Sequence, residues 1–235
     1  MRKLATGILM FPVLAHAGAW YGEAGLGYLQ NDGNAQSRSL NGKLVVNYQD
    51  EYWKNVFAAS AINSADAVAN TAERYTVGDQ LNHDFTENDY IFGALDWEKD
   101  LFGGIRERTS ETAGYGRHLL RGPVHTLDAE LGLGARQTEQ QITGLKESDM
   151  IGRASARYLW NLTQTSSFGE SAKVESGQSN TYLESITELK LAIVGNLFAA
   201  LSYTVKNNSQ VPAGTENTDT STAVNLTYNF GNKPE

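Results

Sequence analysis

The end of the chain sets the pattern for the rest. From 197 to 206, Leu197, Ala199, Leu201, Tyr203 and Val205 alternate with Ser202, Thr204 and Lys206. From 224 to 230, Val224, Leu226, Tyr228 and Phe230 alternate with Asn225, Thr227 and Asn229. A period of two belongs to a strand with one apolar and one polar face. The polar run 207–219, with Pro212 and Gly214, reads as the loop of this hairpin.

The same alternation predicts ten strands upstream: 20–30, 36–48, 53–63, 71–83, 89–97, 105–118, 126–136, 150–160, 168–177 and 188–193. In the clearest of them, Leu127, Ala129, Leu131, Leu133 and Ala135 oppose Asp128, Glu130, Gly132, Gly134 and Arg136. Strand nine is the faintest, because Ser and Gly blur its pattern. Runs 64–70 and 140–147 read as loops, and 50–51 and 86–88 as turns. The prolines Pro12, Pro123, Pro212 and Pro234 all fall outside these strands, as an unbroken ladder requires. Most strands exceed the five or six residues usual in globular proteins and suit a tilted membrane crossing of about 9–11 residues. The expected fold is all-β: one transmembrane, antiparallel up-and-down barrel of about twelve strands, of bacterial outer-membrane type, over residues 18–235.

Charge tells the two faces apart. The polar face carries the candidate lumen-lining residues Glu23, Lys43, Arg74, Asp96, Asp128, Glu130, Arg136, Arg153, Arg157, Lys173, Glu175, Glu188, Lys190 and Lys206. Six acids against eight bases make a mixed lumen, which either pairs with itself and closes or leaves a narrow pore for small polar solutes or ions. With the amino terminus in the periplasm, Trp20, Tyr48, Trp53, Tyr90, Trp160, Tyr228 and Phe230 form a periplasmic aromatic girdle. Tyr28, Trp97 and Tyr182 form the outer one. Runs 64–70, 140–147 and 207–219 then become the longer extracellular loops. In the last of these, Asn207, Asn208, Val211, Pro212, Gly214, Thr215 and Asp219 are candidates for surface interaction. A soluble lipocalin-like barrel is the competing architecture.

The start of the chain explains the compartment. Arg2 and Lys3, the mostly apolar run 4–14 and Ala15-His16-Ala17 form a secretory signal peptide over 1–17, cleaved after Ala17 on Sec export. No other run approaches the ~18 apolar residues of a spanning helix, so a membrane crossing requires a barrel. There is no cysteine, hence no disulfide or thiol chemistry. Losing Arg2 and Lys3 takes the formal charge from −8 to −10, which disfavours nucleic acid as a partner. The expected partners are outer-membrane lipid and the export and barrel-insertion machinery.

Catalysis finds little support. A lipid hydrolase or acyl transferase needs a nucleophile with a histidine base. His83, His118 and His125 all fall at the periplasmic ends of strands four, six and seven, and no Gly-x-Ser-x-Gly element is present. Asp96, Glu98 and Asp100, with Lys99 among them, offer oxygens at an outer loop but lack the spacing of a calcium loop. No enzyme activity, metal or cofactor is expected.

Several stretches resemble a known family: Thr71-Ala72-Glu73-Arg74-Tyr75, the run from Phe85 through Asn88, Asp89 and Tyr90 to Leu95, and 126–136. To these add 179–185 (Ser-Asn-Thr-Tyr-Leu-Glu-Ser), 201–209, Val211-Pro212-Ala213-Gly214-Thr215 and Thr218-Asp219-Thr220. Together they resemble the YdiY-like salt-induced outer membrane protein family of Gram-negative bacteria. The resemblance implies an outer-membrane barrel and a link to salt or osmotic adaptation of the envelope. One departure is that Gly231 to Glu235 follow the final aromatic, Phe230.

Overall fold

The computed structural model describes residues 18–31, 37–66, 70–101, 103–211 and 214–232. The leader reading over 1–17 lies outside them. Twelve strands follow in order: β1 (Ala19–Asn31), β2 (Ser37–Gln49), β3 (Trp53–Asp66), β4 (Asn70–Asp84), β5 (Asp89–Asp100) and β6 (Ile105–Arg121). Then come β7 (His125–Gln140), β8 (Lys146–Thr163), β9 (Ser166–Ser176), β10 (Thr181–Val194), β11 (Leu197–Asn208) and β12 (Thr218–Gly231). Each pairs antiparallel with its sequence neighbours, and β12 closes on β1, with Leu26 opposite Leu226 and Tyr21 opposite Gly231. A closed ring leaves no sheet edge to be satisfied by water.

Each predicted strand has its counterpart, but several run on into predicted loops. The link at 64–70 is mostly strand: β3 continues to Asp66 and β4 begins at Asn70. Likewise β5 reaches Asp100, β6 reaches Arg121, β7 reaches Gln140 and β8 begins at Lys146. Asn207, Asn208 and Asp219, expected in a loop, belong to β11 and β12. The cause is physical. Beyond an apolar belt both faces of a strand meet water, so alternation fades while the backbone ladder continues. The outer loops are therefore short. At the end opposite the chain termini, only the 209–217 connection reaches nine residues, and the others span three to five. At the terminal end they span two to four.

The outer wall is mostly apolar. Leu131, Leu133 and Met150 are 67%, 72% and 76% exposed on neighbouring strands β7 and β8, facing away from the lumen. Replacing Leu133 by Arg is expected to cost ~2–4 kcal/mol, as for a cation on the lipid face of a barrel. Denaturant titration of protein refolded into lipid vesicles would measure it. A loss below ~1 kcal/mol would place Leu133 outside the lipid belt, near an interface.

Tyr90 and Tyr182 are corrections to the girdle reading. Their side chains turn inward and are buried. Glycines on the lumen face make the room. A Cβ at Gly116 would collide with the Tyr90 ring, and one at Gly132 would lie 3.0 Å from Phe92. Trp20, Tyr48, Trp53, Trp97, Trp160, Tyr228 and Phe230 stand on the outer parity of their strands, with Trp20 packed on Tyr48 and Trp53 on His83.

Candidate functional site

The lumen is the site, and it is crowded with charge. All fourteen residues of the polar-face set point into it, as do Glu98, Asp100, Arg108, Asp149 and Glu184, which the sequence reading did not include. Glu98 and Asp100 share the parity of Asp96. The alternation fades after Trp97, whereas β5 continues three residues further, to Asp100, and brings both into the ladder. Each carboxylate of that acidic run faces a basic side chain. Asp96 meets Arg153 at 3.1 Å and Lys173 at 3.7 Å, and Asp100 pairs with Arg74. Among the described residues no three of the histidines and acids stand together as a metal site.

Three layers of contact cross the lumen. Towards the terminal end, Lys43 of β2 bridges Glu23 at 2.8 Å and Glu188 of β10 at 3.0 Å, while Lys190 also pairs with Glu23. At mid-height, Arg153 of β8 donates to Asp96, to Thr112 at 3.1 Å and to Gln80 at 3.4 Å, with its guanidinium 5.6 Å from the Phe92 ring centre. Glu130 beside it accepts from Tyr90 at 2.9 Å, Gln80 at 2.7 Å and Ser155 at 2.7 Å.

The third layer lies near the far end. Lys206 of β11 reaches Glu98 of β5 at 2.6 Å. In a ring of twelve these strands stand six apart, so the contact spans the full diameter. Both ends of this strut also hold a partner on an adjacent strand. Lys206 lies 3.4 Å from Glu184, its register partner on β10. Glu98 lies 3.4 Å from Arg108, its register partner on β6. Arg108 in turn donates to Asn208 of β11 at 2.8 Å and covers the Tyr182 ring at 4.8 Å. Asn180 donates to the same Asn208 oxygen at 2.9 Å.

Water-sized space remains between these layers. A cavity of about 320 Å³ lies under the strut, lined by Lys43, Arg74, Glu98, Glu184, Glu188 and Lys206 among others. A second of about 260 Å³ is lined by Asp128, Glu130, Arg153, Arg157 and Lys173. Asp96, Lys173 and Glu184 are among the residues that line both. A third, about 520 Å³, occupies the terminal mouth around Asp50, Tyr52, Asp84, His118 and Arg121. Arg157 makes no ion pair within 4.0 Å among the described residues, because its cross-strand neighbour Asp128 is taken by His118 at 2.6 Å.

The histidines stay at the terminal end. His83 is the second-last residue of β4, His118 lies three residues before the end of β6, and His125 opens β7. His125 stacks on Tyr158 and hydrogen-bonds its hydroxyl at 2.8 Å. Of the loop candidates, Val211, Gly214 and Thr215 lie in the 209–217 connection, with Gly214 at φ 87°, and Pro212 lies outside the described residues. Asn208 and Asp219 turn into the lumen, Asp219 within 3.7 Å of Arg74.

A family model described as "Protein of unknown function, DUF481" matches residues 24–230. The chain belongs to the DUF481 family. It is 32% identical over 210 residues to the uncharacterized protein YdiY of Escherichia coli (strain K12), covering 89% of this chain and 82% of that protein. Among solved structures, this DUF481 chain is similar to the NanC porin, with a TM-score of 0.52 at 12% identity over 89% of this chain and 99% of that one. It is also similar to an outer-membrane channel from Pseudomonas putida F1, with a TM-score of 0.51 at 12% identity over 97% of this chain and 100% of that one. At such identities the likeness establishes the barrel fold and nothing about solute.

Proposed function

We propose that this DUF481 barrel, exported by its leader and inserted in the bacterial outer membrane, is a narrow, non-catalytic pore for ions and small polar solutes. Its lumen is held closed at low ionic strength by an ion-paired layer, and its role is adaptation of the envelope to salt or osmotic change. The Lys206–Glu98 strut carries this reading. Opening requires the lysine to leave the far wall, and Glu184 waits on its own side while Arg108 waits for Glu98. A contact across the diameter is thus exchanged for contacts along the wall, at the cost of one charge-assisted hydrogen bond from the Arg108 guanidinium to Asn208. A hydrogen bond with one charged partner is worth about 1.5–3 kcal/mol. A lysine suits the moving part, since its flexible stem ends in a point charge, whereas Arg153 is fixed by several directional bonds.

Salt enters through the open state. Separated charges in an electrolyte-filled lumen gain counterions that a closed pair does not need, and the Debye length falls from ~10 Å at 0.1 M to ~3 Å at 1 M. That a porin and a channel share the fold supports a conducting barrel over a purely structural one. Swelling of liposomes loaded with the refolded chain tests the reading. Small neutral polyols are expected to enter several-fold faster at molar salt than at ~10 mM salt, where screening is weak. Equal slow entry at both would overturn it.

A further inference from the structure

The outer wall of β9 and β10 carries a charge where lipid is expected. Glu170 leaves β9 on the face opposite Lys173 and Glu175, which turn into the lumen. Its carboxylate therefore lies outside the barrel, mid-strand, between Phe168 and Ala172 on the same face. Ser185 donates to it at 2.7 Å and Thr187 at 2.5 Å, both from the outer face of β10. No cation pairs with it among the described residues. A carboxylate in a lipid belt is costly and calls for a partner. Each of its oxygens keeps acceptor capacity beyond one hydroxyl.

The missing donor stands in the same row. Cross-strand register runs Tyr158, Glu170, Thr187, Tyr203 across β8 to β11. Tyr158 is engaged with His125. Tyr203 is 47% exposed, and its hydroxyl has no partner among the described residues. Acceptor and donor thus flank Thr187, two strands and about 10 Å apart. A self-complementary pair of this kind is what a two-fold contact uses, residue i meeting j and j meeting i. Gly152, Ala154, Ala156 and Ala172 beside the row are exposed and small, which lets two walls approach. On the far side of the barrel, Asp79 also faces outward, held by Asn55 at 3.0 Å. Its row through Phe57 and Leu95 offers no hydroxyl, so that wall lacks the self-complement.

We infer that two copies of this chain associate through the β9–β11 wall, each Tyr203 hydroxyl donating to Glu170 of the partner subunit, with the two-fold axis beside Thr187. The test is native mass spectrometry of the refolded chain in lipid nanodiscs, with foldedness checked by resistance to protease. The unaltered chain is expected to be dimeric. Tyr203→Phe and Glu170→Ala are each expected to weaken the dimer by about tenfold or more, since each removes two charge-assisted bonds from a symmetric contact. In this cysteine-free chain, Leu189→Cys on the β10 wall should cross-link with a short bis-maleimide, while Ala59→Cys on β3 should not. A monomeric native chain, a dimer unmoved by both substitutions, or cross-linking through Ala59→Cys alone would each overturn the inference.

Discussion

Truncating Glu98, Arg108 and Lys206 together to alanine is expected to hold the barrel open. The three changes remove both bridges between β5 or β6 and β11: the Lys206–Glu98 strut and the Arg108–Asn208 bond. They also empty the space over Tyr182, leaving the 320 Å³ cavity continuous with the far mouth. Close charge pairs couple by about 1.5 kcal/mol or more, so the open fraction should rise at least about tenfold. Changing all three leaves neither Arg108 nor Lys206 facing a missing Glu98, the more damaging state, and Glu184 keeps the hydroxyl that Tyr182 donates at 2.8 Å. Lys206→Ala alone should give a smaller rise, because Arg108 still reaches Asn208. Single-channel recording at low salt would read the difference. A triple variant that inserts and stays silent would mean that the closing layer lies elsewhere.

The second large effect is on stability and falls at mid-height. Arg153 is almost fully buried, with its side chain 7% exposed, and it is the cation that faces Glu130, whose other partners are neutral. Arg153→Ala removes the donor to Asp96, Thr112 and Gln80 and the cover over Phe92. Breaking one side of a buried ionic network costs ~3–5 kcal/mol. Arg153→Lys keeps the charge but not the planar fork, and a loss of roughly half that is expected. Denaturant titration in lipid vesicles would measure both. Losses under ~1 kcal/mol for the alanine variant would show that water, not protein, carries this charge.

Much of this was legible in the sequence because a barrel strand repeats a two-residue code. Leu131 and Leu133 against Glu130 and Gly132 need no tertiary knowledge to assign to opposite faces. What the code does not carry is partnership. Lys206 and Glu98 are 108 residues apart, and only ring closure sets β11 opposite β5. Strand ends are lost for a related reason. Glu98 and Asp100 lie among polar neighbours that read as loop, and Asp66 and Asn70 mark strands where neither face is apolar. Aromatics near strand ends do not all face lipid. Tyr90 and Tyr182 stand near strand ends like girdle residues, but glycines across the wall at Gly116 and buried acids such as Glu130 and Glu184 draw them inward.

The most direct test of the closed, salt-opened lumen is single-channel conductance of residues 18–235 in a planar bilayer, with salt raised from ~0.1 M to ~1 M, a range over which screening shortens about threefold. The account predicts rare openings at the low end and an open fraction that climbs with salt, beyond the rise in bulk conductivity, while the Glu98, Arg108, Lys206 triple variant is open throughout. Steady openings of the unaltered chain at ~0.1 M, with an open fraction indifferent to salt, would contradict it.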